Sequence, residues 1–203
     1  ILGYLEKKIN KETNNQRVLI TPKHYAYLKI SEGCSRSCSF CAIPGIRGQH
    51  VSRPLESLLK EARILVNNGV KEIILIAQDT TLYGIDLYGK RMLAKLLEKL
   101  AVIKSLEWIR LQYAYPASFP LEVLNVMSEY SNICKYLDIP IQHINNRILN
   151  SMERGLGKVS TIKLLENIRS KISGIHLRTT LIVGYPGETK NEFNELLDFV
   201  RDF

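Results

Sequence analysis

Three cysteines, Cys34, Cys38 and Cys41, stand four and three residues apart in the stretch Cys34-Ser35-Arg36-Ser37-Cys38-Ser39-Phe40-Cys41. No other feature restricts the chain so tightly. The stretch follows an apolar run, Tyr25-Ala26-Tyr27-Leu28-Lys29-Ile30, that reads as a strand. A short loop after a strand can turn its thiols toward one centre, and soft thiolates select iron–sulfur clusters, zinc or Cu(I). An iron–sulfur cube normally takes four thiolates, and this loop supplies three. A zinc knuckle would also need a fourth ligand, for which His50 is the nearest candidate, without a paired spacing. The missing ligand leaves one iron open to a substrate or cofactor. Cysteines buried merely as small hydrophobes are the plain alternative, but Ser35, Arg36, Ser37 and Ser39 make the loop polar. Cys134 stands alone and reads as an inert core thiol.

The rest of the chain repeats one unit. Ser52 reads as an N-cap with Pro54 in the first turn, opening a helix whose apolar face is Leu55, Leu58, Leu59, Ala62 and Leu65, closed at Asn68-Gly69. Glu72-Ile73-Ile74-Leu75-Ile76-Ala77 is a continuous apolar run, as in a parallel strand buried on both faces. Leu93, Leu96, Leu97 and Leu100 mark a second helix and Trp108-Ile109-Arg110-Leu111 a third strand. Leu121, Leu124 and Met127 mark a third helix, and Tyr136-Leu137-Asp138-Ile139 a fourth strand. Helical regions at 146–152 and 161–172, a fifth strand over 175–183 and a last helix carrying Phe193, Leu196, Leu197 and Val200 complete the pattern. Five strand–helix units in series predict a parallel sheet curling toward a barrel, with right-handed crossovers.

In such a fold chemistry collects where strands end and loops begin. The cysteine loop, Gln78-Asp79-Thr80-Thr81, Tyr113-Ala114-Tyr115-Pro116 and Gln142-His143 occupy those ends, with Arg178, Gly184, Gly187 and Glu188 late in the fifth unit. Plainer readings stand beside these: Asp138 next to Pro140 fixes a local turn, His143 is a satisfied structural histidine, and Gly184-Tyr185-Pro186-Gly187 is a turn.

Residues 1–22 are polar and without apolar periodicity, and read as a linker from a missing amino-terminal domain, leaving 23–203 as the core domain. The chain stops at Arg201-Asp202-Phe203 inside helical periodicity, which reads as truncation after the fifth unit. Net charge is +8, unevenly placed. Residues 1–63 carry 11 Lys/Arg against 5 Asp/Glu, and 64–203 carry 17 against 15. The basic first third points to an acidic partner such as RNA or a ribonucleoprotein, or to a merely solvated surface. No apolar run reaches the length of a membrane span and no signal peptide is visible, so no membrane partner is expected. Clustered, unpaired cysteines suit a reducing cytoplasm.

The C-x3-C-x2-C spacing with Phe40 before the last cysteine resembles the cluster loop of the radical S-adenosylmethionine enzymes. That resemblance implies a [4Fe-4S] cluster on Cys34, Cys38 and Cys41, and S-adenosylmethionine chelated to the open iron and cleaved to a 5′-deoxyadenosyl radical. The implied fold is α/β, an incomplete (β/α)6-type partial TIM barrel truncated after its fifth unit. Arg47-Gly48, Ser52-Arg53-Pro54, Met152-Glu153-Arg154-Gly155 and Val183-Gly184-Tyr185-Pro186-Gly187-Glu188-Thr189 are similar to the methylthiotransferase group. Ala77-Gln78-Asp79-Thr80-Thr81-Leu82-Tyr83-Gly84 and Asp138-Ile139-Pro140-Ile141-Gln142-His143 resemble its ribosomal-protein branch, the RimO family, more than its transfer RNA branch.

The RimO resemblance implies methylthiolation of the β-carbon of an aspartate in small-subunit ribosomal protein twelve, with an electron donor such as flavodoxin or ferredoxin. It also implies a second [4Fe-4S] cluster on three cysteines of an amino-terminal domain, which Cys134 alone cannot supply. The expected fragment is therefore the radical core only, unable to complete turnover by itself. Phe40 matches the position beside the adenine; Gln78, Asp79, Gln142, Arg178 and Gly184 match cofactor-binding positions at the mouth. Two other readings are a transfer RNA adenosine methylthiotransferase and, outside enzymes, a cysteine-knuckle module docking on ribosomal RNA.

Overall fold

A computed structural model of the protein describes residues 18–203. The linker expected over 1–22 falls mostly outside these residues.

The core is a five-stranded, all-parallel sheet in the order β1-β4-β5-β6-β7. Its strands are β1 (Tyr25–Lys29), β4 (Glu72–Ile76), β5 (Trp108–Leu111), β6 (Ile133–Asp138) and β7 (His176–Arg178). Two short strands, β2 (Ser31–Glu32) and β3 (Val51–Ser52), form a separate antiparallel pair at the base of the cysteine loop. Helices alternate with the strands: α1 (Ile43–Arg47), α2 (Leu55–Asn67), α3 (Ile85–Tyr88), α4 (Leu93–Ala101), α5 (Glu122–Glu129), α6 (Asn146–Ser151), α7 (Lys158–Lys171) and α8 (Lys190–Asp202). β1 and β7 do not pair with each other, so the sheet is a partial barrel and stays open.

Leucine periodicity drives the helix layer. Leu58, Ala62 and Leu65 of α2, with Leu93, Leu96, Leu97 and Leu100 of α4, are buried against Leu28, Ile73, Leu75, Ile109 and Leu111 of the sheet. Burying each such leucine or isoleucine stabilises the fold by about 1.5–3 kcal/mol. The sheet's two faces differ. In β5, Ile109 and Leu111 point into this core, while Trp108 is 57% exposed and Arg110 pairs with Glu72 at 2.7 Å on the opposite face. Only β4 carries the continuous buried run expected of a strand covered on both sides.

Two local expectations are corrected. Ser52 does not cap α2, because it lies in β3 and Pro54 occupies the N-cap. Its hydroxyl instead donates to Asp86 Oδ1 at 2.6 Å and accepts from the Gly84 amide, tying β3 to α3. The fifth strand is regular only over His176–Arg178 and continues as a single bridge between Leu181 and Gln142.

Candidate active site

The carboxyl ends of β1, β4, β5 and β6 open onto one cavity of about 290 Å³. All three loop cysteines line it, together with Phe40, Gln78, Asp79, Tyr113, Tyr115, Gln142 and Arg154.

The cysteine loop has no regular structure, so its shape comes from side-chain and backbone anchors. Gly33 starts it with φ +75, and a Cβ there would sit 2.2 Å from the Gln49 carbonyl. Only glycine admits that approach, which lets the Cys34 amide reach the Gly48 carbonyl at 3.1 Å. The His50 amide donates to Ser35 Oγ. Arg36 Nε donates to Asp79 Oδ2 at 2.8 Å, and Asp79 Oδ1 accepts from the amide and hydroxyl of Thr81. Both oxygens of this buried carboxylate are thus committed to the protein. Farther along, Ser39 Oγ donates to the Ser151 carbonyl and lies 2.9 Å from Tyr185 Oη.

Cys34 is buried, Cys38 half-buried and Cys41 exposed. Burial pushes the Cys34 thiol above its ordinary range, so a metal that takes its sulfur must displace a firmly held proton. Cys38 has a different neighbourhood: Arg154 Nη1 stands 3.3 Å from its sulfur and Tyr115 Oη 3.7 Å. Burial raises the Tyr115 hydroxyl to about 12, so it stays protonated and donates to the Arg154 carbonyl at 2.8 Å.

The donor set fits a polynuclear cluster. Among the described residues, no three His, Cys, Asp or Glu side chains converge on a point where a single ion could sit. The three thiols are spread around one cavity instead, as they must be if each takes its own iron. Gln78 Oε1 and Gln142 Oε1 are buried without a hydrogen-bond partner, and both residues line the cavity. Unpaired buried acceptors cost stability unless a ligand meets them. Tyr113 and Gln142 also hold left-handed backbone, at φ 57 and 71, a strain that gathers at binding sites.

A profile of the Radical SAM superfamily matches residues 28–200. The chain belongs to that superfamily. The RimO resemblance also holds along the whole of this radical SAM domain. It is 56% identical over 202 residues, all of this chain, to the ribosomal protein uS12 methylthiotransferase RimO of Porphyromonas gingivalis. The enzyme of the same name from Flavobacterium johnsoniae is 58% identical over 202 residues. The chain covers 46% of each relative's length, about half. Among solved structures, the radical S-adenosylmethionine methyltransferase TsrM of Kitasatospora setae matches 92% of this chain and 38% of its own, with a TM-score of 0.72 at 19% identity. The cobalamin-dependent radical enzyme OxsB matches 87% of this chain and 26% of its own, with a TM-score of 0.66 at 18% identity. At these identities the likeness is one of fold.

Of the residues expected at the radical SAM site, Cys34, Cys38, Cys41, Phe40, Gln78, Asp79 and Gln142 are brought together. Arg178 and Gly184 are not. The Arg178 side chain is 59% exposed, outside the cavity, and lies 3.5 Å from Asp138 on the neighbouring strand. Gly184 serves a turn, its amide donating to Glu188 Oε2. That same Glu188 stands 3.3 Å from the fully buried His143, which supports the structural reading of that histidine. Cys134 is half-buried in β6, with Arg110 and Glu72 near its thiol. Arg36 and Arg154 are the site residues that the sequence reading passed over, the first seen only as loop polarity and the second only inside a family motif.

Proposed function

We propose that this chain is the radical core of a methylthiotransferase acting on an aspartate of small-subunit ribosomal protein uS12. Residues 23–203 form that core, and 1–22 connect it to a further domain bearing a second [4Fe-4S] cluster. The observation that carries this reading is the cavity itself, in which three unpaired thiols and two unsatisfied amide oxygens meet in a chain 56% identical to enzymes named for this activity.

Cys34, Cys38 and Cys41 would hold a [4Fe-4S] cluster. When bound, the cluster and S-adenosylmethionine supply one-electron reduction and hydrogen abstraction. The protein's own part is to bind, orient and exclude water. Gln78 and Gln142 offer acceptors to polar groups of the cofactor, and Phe40 supplies an aromatic face beside them. Pro44, Ala114 and Pro140 give the cavity a dry wall. A desolvated substrate carboxylate needs a cationic or hydrogen-bonding partner. Arg36, which lines the cavity, is the cation proposed for that carboxylate. Electrons come from a low-potential protein such as flavodoxin or ferredoxin in the cytoplasm. Among the described residues no helix is long and apolar enough to cross a membrane.

Mass spectrometry of uS12 and of transfer RNA from a strain lacking this protein's gene tests the reading. The expected result is a uS12 aspartate without its methylthio group and unchanged transfer RNA adenosines. Methylthio groups lost from transfer RNA, with uS12 intact, would overturn it.

A further inference from the structure

Arg154 is 95% buried by its 5% relative exposure, at the turn that follows α6. It is locked from four directions. Its amide donates to the Leu149 carbonyl, its carbonyl accepts from Tyr115 Oη, and its Nη2 donates to the Pro140 carbonyl. Its guanidinium carbon stands 4.3 Å from the centroid of the Tyr115 ring. Arg36 also stands over that ring, at 4.0 Å, so two cations share one aromatic platform.

The two cations are balanced differently. Arg36 has the Asp79 carboxylate at 2.8 Å. Arg154 makes no ion pair with a carboxylate among the described residues, and a buried cation without a counter-charge is strongly disfavoured. The group placed to balance it is the sulfur of Cys38, 3.3 Å from Nη1. A thiol is a poor partner for a guanidinium, whereas a thiolate bound to iron carries the charge that the site lacks.

We propose that Arg154 is a positioning residue that sets the reduction potential of the cluster, by donating a charged hydrogen bond to the sulfur of Cys38. This rests on the reading that the loop holds an iron–sulfur cluster. Hydrogen bonds to cluster sulfurs, local charge and solvent exposure set such potentials. Reduction takes one electron from a low-potential donor and breaks no bond, and the cluster gains one negative charge. A cation fixed at the sulfur favours that added charge, so the reduced form is more stable with Arg154 present than without it. Tyr115 assists by holding the Arg154 backbone and by placing its own hydroxyl near the same sulfur.

The test is a redox titration with dithionite, followed by electron paramagnetic resonance, on wild type, Arg154→Gln, Arg154→Lys and Tyr115→Phe. The signal followed is the one that changes when S-adenosylmethionine is added, which separates this cluster from any other in the protein. Arg154→Gln is expected to load iron and sulfide as wild type does and to be tenfold less reduced at a given poise, about 59 mV for a one-electron couple. Tyr115→Phe shifts in the same direction by a smaller factor, and Arg154→Lys falls between Arg154→Gln and wild type. A loaded Arg154→Gln protein with the wild-type potential would overturn the proposal. Loss of iron in both Arg154 variants would make the residue structural and overturn it as well. If Arg154→Gln alone fails to load, Arg154→Lys and Tyr115→Phe decide together, and a wild-type potential in both overturns the proposal. Wild-type protein that binds no iron would instead refute the cluster reading, and this inference with it.

Discussion

The helix layer and the cavity mouth sit on the same five strands but are held together by opposite means. In the layer, α2 and α4 bury Leu58, Ala62, Leu65, Leu93, Leu96, Leu97 and Leu100 against the sheet, with one buried carboxylate, Glu61 of α2, paired to Arg53. At the mouth, a loop without secondary structure is held by Arg36 to Asp79, Ser39 to Ser151 and Arg154 to Cys38. Packing is spread over many contacts of small individual worth, while the mouth depends on a few specific pairs. The two regions therefore separate stability from chemistry, and substitutions should separate them too.

The largest effect is expected at the mouth. In the proposed cluster each thiolate would take a different iron, so Cys38→Ala should remove almost all the iron bound by residues 23–203 while the melting temperature of the apoprotein barely moves. Cys134→Ala, in β6 and away from the cavity, should leave iron content near wild type. Metal analysis with thermal unfolding of the same samples checks both, and equal iron loss in the two variants would erase the contrast.

Next comes the layer. Leu97 is fully buried in α4, so Leu97→Ala should cost about 2–5 kcal/mol through lost burial and a residual cavity. Iron bound per folded molecule should stay unchanged. Denaturant unfolding gives the first quantity and metal analysis of the folded fraction the second.

A smaller effect is expected where the two regions meet. Asp79 is buried and takes three hydrogen bonds, one of them from Arg36. Asp79→Asn should cost about 1–3 kcal/mol by leaving donors unpaired, and it should also weaken iron binding by loosening the loop. Stability lost with no change in iron affinity would assign Asp79 to the layer rather than the mouth.

The two regions were unequally legible in the sequence. Leucines at helical spacing announce α2 and α4 because burial repeats with the turn of the helix. Ser52 was misjudged because a two-residue strand has no period, and a serine before a proline looks like a cap until β3 is seen pairing with β2. Arg178 was misjudged because strand order decides its partner. In parallel register it faces Asp138 across β6 and β7, which engages it outside the cavity. The cysteines could be found from spacing within one loop. Arg154 could not, since it meets Cys38 from 116 positions away, and no local pattern encodes that contact.

The smallest effect lies at the surface, where Arg147 of α6 meets the start of α8. Glu192 caps α8 and is bonded by Arg147, Nε to Oε1 at 2.5 Å. The Arg147 hydrogen bond, with the Thr189 amide, holds the Glu192 carboxyl at about 2, below its ordinary 4.5. A depressed carboxylate stabilises the fold above its unfolded value and loses that contribution as pH falls toward the folded one. The difference in melting temperature between wild type and Arg147→Ala should therefore be present at neutral pH and disappear between about pH 4.5 and 2. It should be small and shrink with salt, because the Arg147 side of the pair is solvent-exposed.

The central claim is that Cys34, Cys38 and Cys41 hold an iron–sulfur cluster with one iron left open toward the cavity lined by Gln78 and Gln142. Electron paramagnetic resonance of the anaerobically reduced protein, recorded with and without S-adenosylmethionine, tests it directly. A cluster signal that changes when S-adenosylmethionine is added, and is missing from the Cys34→Ala/Cys38→Ala/Cys41→Ala triple variant, is the expected result. A wild-type protein with no signal that responds to S-adenosylmethionine, or a responsive signal that survives in the triple variant, would contradict it.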